Sequence, residues 1–300
     1  MKALAGISAF PITPTDSTGR VDTPALCRLI DRLVAAKVDS IGLLGSTGTY
    51  LYLTREERRR AIEAAVAYTE NRVPLVVGIG ALRTDETIRL AQDAKVLGAA
   101  VGLLSPVSYA PLSENEVFEH FSAVARESQL PICVYDNPGT THFKFTPALV
   151  SRLARVSGIV AIKNPTTNNE ETPRHYSEQR AIVPEGFRIG YSGDWCCAEA
   201  MILGADAWYS VLGGLLPNPC VRIVRAAQAG DAEEARRINQ ALQPVWDLFR
   251  RYTSLRVMYE MAIQRGVCSD EPPRPILPVC DTAKQDIADV LQGLPKEFLT

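Results

Sequence analysis

The sequence predicts an α/β protein that folds as a (β/α)8 TIM barrel with a C-terminal helical extension. Short apolar runs rich in β-branched residues alternate with longer segments of helical periodicity, which is typical of parallel sheets. Eight such strand-then-helix units occur, and eight is the number that closes a barrel. Because Phe-Pro-Ile-Thr-Pro at 10–14, and no glycine-rich dinucleotide turn, follows the first strand, an open doubly wound sheet ranks second.

The individual elements follow from these patterns in chain order. The helices are expected to begin at the caps Asp22, Thr54 and Ser113, and Gly98 marks a helix end. The predicted strands are 4–10, 40–44, 73–79, 100–104, 131–135, 159–163, 187–191 and 207–211. The predicted barrel helices are 24–36, 55–68, 84–97, 114–127, 146–155, 173–183 and 196–204.

The last 80 or so residues change character and predict helix after helix, with a proline-rich break at 271–278. No flexible Gly/Ser linker precedes them, so we expect an extension packed on the barrel rather than a separate binding module. The division is therefore residues 1–217 for the barrel and 218–300 for the extension. The predicted helices of the extension are 220–229, 232–252, 254–265 and 281–291.

Composition excludes several classes of protein. Among 300 residues, 32 are basic and 34 acidic, so the formal charge of −2 gives no reason to expect nucleic acid or an anionic membrane as a partner. No stretch approaches the roughly 18 apolar residues of a transmembrane helix. Prolines at 11 and 14 interrupt the one N-terminal apolar run, so no signal peptide is expected. We expect a cytoplasmic protein with a sizeable core.

Cysteine and histidine usage predicts neither disulfides nor a metal site. The seven cysteines show no CxxC spacing and are expected to be buried thiols in a reducing compartment. The three histidines, His120, His142 and His175, are far apart and form no HxxxH or HExxH pattern. No bound metal is therefore predicted.

Lys163 is the strongest single indication of chemistry, because it closes the apolar run Ile-Val-Ala-Ile at 159–162. A desolvated ammonium has a lowered pKa, and the neutral amine can attack a carbonyl carbon. The alternative from the run alone is an interior ion pair, or a lysine whose stem snorkels from a strand end.

Two other strand ends carry polar groups that are expected to meet Lys163, since functional side chains of a barrel cluster where strands end. The second strand runs into Gly-Ser-Thr-Gly-Thr at 45–49, whose amides and hydroxyls could hold an anion, although an ordinary turn has the same composition. The fifth strand ends in Tyr135, a neighbour of Lys163 in a closed barrel. A lone strand tyrosine is more often a core residue.

Six motifs resemble those of the dihydrodipicolinate synthase / N-acetylneuraminate lyase family of pyruvate-dependent, Schiff-base-forming lyases. The resemblance covers about residues 5–290. The motifs are Phe-Pro-Ile-Thr-Pro at 10–14, Gly-Ser-Thr-Gly at 45–48, Val-Tyr-x-Asn-Pro at 134–138, Ile-Val-Ala-Ile-Lys at 159–163, Ser-Gly-Asp at 192–194 and Pro-Pro-Arg-Pro at 272–275.

The resemblance implies a role for each matching residue. Lys163 would form an imine with the C2 carbonyl of pyruvate or a related 2-keto acid, so no cofactor is implied. Tyr135 would shuttle protons, Ser46 would relay them, and Thr47 with its loop amides would hold the substrate carboxylate. The family also implies a homo-oligomer, a dimer or a tetramer. Two further positions implied to line the keto-acid pocket are Gly193 and the backbone near Tyr209.

The sequence also departs from the family pattern at four places. Thr49 stands where the second-strand loop normally continues with Glu. Val107 and Ser108 replace a pair of tyrosines that serve a proton relay shared with the neighbouring subunit, and Tyr109 follows one step later. The resemblance therefore implies a relay that is either reshaped around Tyr109 or shortened. The Asp-Glu pair with which sialic-acid lyases hold the sugar chain falls at 195–196, which are Trp and Cys here.

The fourth departure concerns the second substrate. Thr140 replaces the Arg that binds the aldehyde's carboxylate in dihydrodipicolinate synthases. We therefore expect a pocket of Asp136, Ser108, Tyr109 and Thr140 that favours a neutral or hydroxylated partner.

The sequence thus predicts a lyase of the class I aldolase or dehydratase type, acting on pyruvate or a pyruvate-derived 2-keto acid with a respecified aldehyde partner. One alternative is a genuine 4-hydroxy-tetrahydrodipicolinate synthase. A second is a non-catalytic sensor or scaffold that binds a keto acid, against which Lys163, Tyr135, Ser46 and Thr47 argue together. A phosphate-substrate barrel enzyme has only Gly213-Gly214 as a cue, which is better explained as a turn.

Overall fold

The computed structural model describes residues 2–166 and 168–299. Within them, eight strands form one parallel sheet, and each lies inside or within two residues of a predicted range. The strands are β1 (Gly6–Ala9), β2 (Ser40–Leu43), β3 (Leu75–Gly78), β4 (Val101–Leu104), β5 (Ile132–Tyr135), β6 (Ile159–Pro165), β7 (Arg188–Ser192) and β8 (Ala207–Ser210).

The sheet closes on itself in chain order, from β1 to β8. The closing pair is parallel, with Gly6 opposite Ala207 and Ser8 opposite Tyr209. An open doubly wound sheet has no such pair, so the structure confirms the (β/α)8 barrel and excludes the alternative.

The first nine helices of the described residues confirm the seven segments predicted for the barrel and the first one predicted for the extension, and they add one. Asp22, Thr54 and Ser113 each accept a hydrogen bond from the helix they cap, and Gly98 follows a helix end at φ 103°. The four-residue helix after β5 was not predicted, because it is too short to show a periodic pattern. The helices are α1 (Thr23–Ala35), α2 (Arg55–Thr69), α3 (Thr84–Val96), α4 (Glu114–Ser128), α5 (Pro138–Thr141), α6 (Pro147–Leu153), α7 (Thr172–Ile182), α8 (Asp194–Ile202) and α9 (Pro217–Gln228).

Four more helices follow α9, and one prediction about them is wrong. The segment 232–252 is two helices rather than one, because Pro244 has no amide hydrogen to donate within the helix and the chain turns at Leu242. The division of the chain into a barrel (1–217) and an extension (218–300) stays a prediction. Its first and last residues, Met1 and Thr300, lie outside the described residues. The additional helices are α10 (Ala232–Ala241), α11 (Gln243–Tyr252), α12 (Ser254–Gln264) and α13 (Asp281–Gly293).

The extension contacts the loops at the carboxyl ends of the strands. The Tyr259 hydroxyl on α12 donates to the carbonyl of Thr13, 3.2 Å away, and so ties the extension to the segment after β1. None of the helices in the described residues is long and apolar enough to span a bilayer.

The direction of the side chains alternates along each strand, and this alternation decides which of them point into the barrel. Successive strand residues point to opposite faces, so residues two apart share a face. Cys133 and Tyr135 on β5 belong to the interior cluster, as does Ala161 on β6, two residues before Lys163. Lys163 therefore also points inward, at the carboxyl end of the barrel. Other members of the interior cluster are Leu4, Phe10, Val76, Val101, Leu103, Ala207 and Tyr209.

Candidate active site

Lys163 lies at the base of a cavity at the carboxyl end of the barrel, with only 3% of the residue exposed. Its Nζ lies 4.1 Å from the ring centroids of Phe10 and Tyr135, and 5.6 Å from that of Tyr209. Aromatic faces attract an ammonium group but replace little of its hydration. The surroundings therefore confirm the desolvation that the apolar run predicted.

Two glycines make room for the Phe10 ring beside Lys163. A Cβ at Gly42 would lie 2.2 Å from the ring, and a Cβ at Gly45 would lie 2.6 Å from it. A side chain at either position would require the Phe10 ring to move. The glycine that opens the 45–48 motif thus has a packing role as well as a place in the loop.

Burial lowers the pKa of Lys163 from 10.5 to about 8. The buried carboxyl of Asp194 opposes this shift, but burial raises its own pKa and its oxygens are already engaged. The neutral fraction of Lys163 near neutral pH is consequently larger than that of an exposed lysine. The donors to Asp194 are Trp208 Nε1, the Ser210 hydroxyl and the amides of Val211 and Leu212, at 2.7–3.2 Å.

The rate of imine formation with pyruvate is expected to rise with pH and level off above about 8, because the neutral amine is the nucleophile. Rapid borohydride quenching and mass spectrometry across pH 6–10 would measure this rate. Burial raises the pKa of the neighbouring Asp136 to about 6, so its titration ends before that of Lys163. A rate that still climbs tenfold per pH unit above pH 9 would contradict the lowered pKa.

Tyr135 lies beside Lys163 with its hydroxyl in a defined hydrogen-bond arrangement. The two residues are opposite each other in the β5–β6 pairing. The Tyr135 oxygen accepts hydrogen bonds from Asn137 Nδ2 at 3.0 Å and from the Ser46 hydroxyl at 3.4 Å. Burial raises the pKa of Tyr135, so the phenol is protonated at neutral pH and its own hydrogen remains for a substrate.

The loop after β2 has the geometry of an anion site. Leu44 and Thr49 both adopt left-handed backbone conformations, at φ 56° and 52°. The turn between them is closed by the Thr49 amide, which donates to the Ser46 carbonyl at 3.1 Å. Within the described residues, the amides of Thr47 and Gly48 have no acceptor, and Thr47 lines the cavity. Such adjacent free amides can hold a carboxylate.

The cavity has a volume of about 610 Å³, and most of the predicted site residues line it. The extension contributes Phe249, Thr253, Leu255 and Ile276 to its walls. Tyr209 is fully buried beneath the cavity and does not line it. The predicted residues that do line it are Ser46, Thr47, Tyr135, Thr140, Lys163 and Gly193.

Of the four residues predicted to form the pocket for the second substrate, two line the cavity and two do not. Ser108 and Thr140 line the cavity. Asp136 is buried behind it, and Tyr109 is 99% exposed and outside it. The place of Tyr109 in a relay with a neighbouring subunit stays a prediction.

Charge is scarce in the cavity, and some of its polar residues were not predicted. Among the described lining residues, Lys163 is the one basic side chain and Asp194 the one acidic side chain. The Asn137 contact could have been inferred from the Tyr-x-Asn spacing. Tyr50 and Ser105 also line the cavity. Their place there could not be predicted from the sequence, because their hydrogen bond joins two separate loops.

Comparison with known proteins identifies the family. The model of the dihydrodipicolinate synthetase family matches residues 3–294. The chain belongs to the dihydrodipicolinate synthetase family. It is therefore a lyase, and the resemblance predicted from the six motifs is confirmed.

Individual members of the dihydrodipicolinate synthetase family match over nearly the whole chain. The 4-hydroxy-tetrahydrodipicolinate synthase of Methylococcus capsulatus is 36% identical over 261 residues, 85% of this chain and 88% of the relative. That of Methylibium petroleiphilum is 36% identical over 282 residues, 93% of this chain and 94% of the relative. A crystal structure of dihydrodipicolinate synthase from Agrobacterium tumefaciens has 50% identity and a TM-score of 0.95, covering 98% of this chain and 99% of that one.

Proposed function

We propose that this lyase forms a covalent imine between Lys163 and the C2 carbonyl of pyruvate or a pyruvate-derived 2-keto acid. The observation that carries the proposal is the buried Lys163 amine, 4.1 Å from the Tyr135 ring at the base of the cavity. A lowered amine pKa and an adjacent protonated phenol supply the nucleophile and the proton donor that imine formation needs.

The chemistry follows from these two groups. The amine adds to the carbonyl carbon, and the Tyr135 phenol donates a proton to the hydroxyl that leaves as water. The protonated imine then withdraws electrons from C3, so transfer of a C3 proton to the Tyr135 phenolate left by the previous step gives a neutral enamine. Cleavage of the bond between C3 and a hydroxyl-bearing C4 gives the same enamine, with C4 leaving as an aldehyde carbonyl and its hydroxyl proton passing to that phenolate. The imine itself is the electron sink, which is why the proposal includes no cofactor.

The substrate carboxylate is assigned to the loop after β2. Thr47 lines the same cavity as Lys163, and its hydroxyl and the free amides of Thr47 and Gly48 are grouped in one turn. Together they offer three donors for a carboxylate without a basic side chain. Gly193 at the start of α8 lines the cavity without a side chain to fill it.

Two observations bear on the second substrate and favour different candidates. The curated relatives are named 4-hydroxy-tetrahydrodipicolinate synthases, which supports the genuine synthase more than a respecified enzyme. The cavity lining supports a partner without a second carboxylate, because it contains no arginine among the described residues and has Thr140 in place of the expected clamp. We propose the neutral or hydroxylated partner on the strength of this lining.

Condensation of pyruvate with aspartate semialdehyde is expected to be roughly 10- to 100-fold less efficient than in an arginine-bearing relative assayed alongside. A charge-assisted hydrogen bond to a buried carboxylate is worth about 1.5–3 kcal/mol. Thr140→Arg is expected to raise this activity and to leave pyruvate labelling unchanged. Efficient synthesis by the unmodified protein would instead establish the genuine synthase.

A panel of aldehydes and sugar-derived keto acids, run after borohydride trapping with pyruvate, tests the proposal as a whole. A protein that binds pyruvate without forming an imine would be the non-catalytic sensor. Assembly as a dimer or tetramer and a cytoplasmic location remain predictions from the sequence.

A further inference from the structure

A second pair of hydroxyls borders the cavity and has no part in the proposed imine chemistry. Tyr50 lies in the 3-10 turn after β2, and Ser105 directly follows β4. Their oxygens are 2.9 Å apart, and the residues are only 7% and 4% exposed. Both line the cavity that contains Lys163.

The surroundings hold the Tyr50 phenol in place. The Arg58 guanidinium lies 5.2 Å from the centre of its ring and donates from Nη1 to the Gly80 carbonyl at 2.9 Å. A Cβ at Gly80 would lie 3.2 Å from both the hydroxyl and Cε2 of Tyr50, so a glycine there lets the backbone approach the phenol. The second glycine of Gly-Ile-Gly at 78–80 thus serves this packing.

One hydroxyl hydrogen of the Tyr50–Ser105 pair is not used in the hydrogen bond between them. Two hydroxyls carry two hydrogens, and the bond between them uses one. Neither Tyr50 nor Ser105 has another acceptor among the described residues, although both are more than nine-tenths buried. Burial raises the pKa of Tyr50, so its hydroxyl stays protonated at neutral pH. A buried donor without an acceptor is costly unless a ligand supplies one.

We propose that the Tyr50–Ser105 pair donates a hydrogen bond to a hydroxyl oxygen on the part of the substrate that extends beyond the keto-acid head. The substrate class would then be hydroxylated 2-keto acids. A single neutral donor suits a hydroxyl oxygen, whereas a carboxylate would need several donors or a cation. This inference rests on the proposed function, because the keto-acid head is placed by the imine to Lys163.

Three keto acids of equal carbon number test it: 2-oxopentanoate, 4-hydroxy-2-oxopentanoate and 4,5-dihydroxy-2-oxopentanoate. The concentration of each that half-saturates borohydride labelling of Lys163 would be measured. The unmodified protein is expected to prefer at least one hydroxylated acid over 2-oxopentanoate. Tyr50→Phe is expected to reduce that preference by about 3- to 10-fold, the effect of one neutral hydrogen bond, and Ser105→Ala should act in the same direction.

Tyr191→Phe is the matched control. Tyr191 is also a buried tyrosine with a hydrogen-bonded hydroxyl, 2.8 Å from His175 Nδ1, but it does not line the cavity. Tyr191→Phe should keep the full preference for a hydroxylated keto acid over 2-oxopentanoate. Labelling of Lys163 by pyruvate should be unchanged in Tyr50→Phe.

Three results would overturn the inference while leaving imine formation established. They are no preference in the unmodified protein, the same preference in Tyr50→Phe, or loss of pyruvate labelling in that variant, which would place the pair at the keto-acid head. If no keto acid labels the unmodified protein, the proposed function itself is refuted, and this inference with it.

Discussion

Replacing Lys163 by alanine is expected to abolish covalent labelling by pyruvate and borohydride. Turnover should fall by on the order of 10⁶-fold, as happens when a covalent nucleophile is deleted elsewhere. No other basic side chain lines the cavity among the described residues, so no second amine can take over. Mass spectrometry of the peptide that contains residue 163 would measure the labelling.

Three further variants separate loss of the nucleophile from loss of the fold. Lys163→Met fills similar volume without a buried charge, and it should be inactive with an unchanged or higher melting temperature. Lys163→Arg should also be inactive, because the guanidinium stays protonated. Lys144→Ala, at an exposed lysine in the loop after β5, should label normally. Labelling of another lysine, or normal turnover in Lys163→Met, would refute the mechanism.

Removing the Tyr135 hydroxyl is expected to slow turnover by about 10²- to 10⁴-fold, the usual contribution of a general acid–base. Imine formation should still occur in Tyr135→Phe, more slowly, since the Lys163 amine is intact. The phenyl ring keeps its packing against Lys163, so the change isolates proton transfer from shape. Single-turnover experiments with pyruvate, with exchange of its C3 hydrogens in heavy water as the readout, would measure the step.

A contrasting variant distinguishes proton transfer from binding. Thr47→Val should raise the pyruvate concentration needed for half-maximal labelling, because the loop loses a carboxylate donor, while the rate at saturation changes little. If Tyr135→Phe also changed only the pyruvate concentration needed, or if its exchange rate matched that of the unmodified protein, Tyr135 would not be the proton shuttle.

Local patterns in the chain were enough to predict the fold and the first half of the site. Short apolar runs mark the strands, and caps such as Asp22 and Ser113 act within a single turn of helix. Because a parallel barrel places every strand end at one mouth, Lys163 and Tyr135 could be expected to meet there. The structure does place them opposite each other in adjacent strands.

Some predictions from the sequence were wrong. One missed a short break within a helix, and another misplaced a loop residue. The helix predicted at 232–252 divides at Leu242, although Pro244 was visible in the sequence. Tyr109 was expected in the pocket, but the loop after β4 leaves it exposed. Periodicity decides neither position. The helix break follows from Pro244, which lacks an amide hydrogen, whereas the exposure of Tyr109 depends on how its loop packs.

Local patterns in the sequence were sufficient to predict the alternation of strands and helices, the helix caps and the family to which the chain belongs. The folded structure was needed to show that the Phe10 ring lies against Lys163, that Asp194 is engaged by the loop after β8, and that Tyr50 meets Ser105 across 55 positions of sequence. Patterns along the chain record where strands and helices lie and which face of a helix is buried. The contacts between loops depend on barrel closure, which brings side chains together from strand ends that are far apart in sequence.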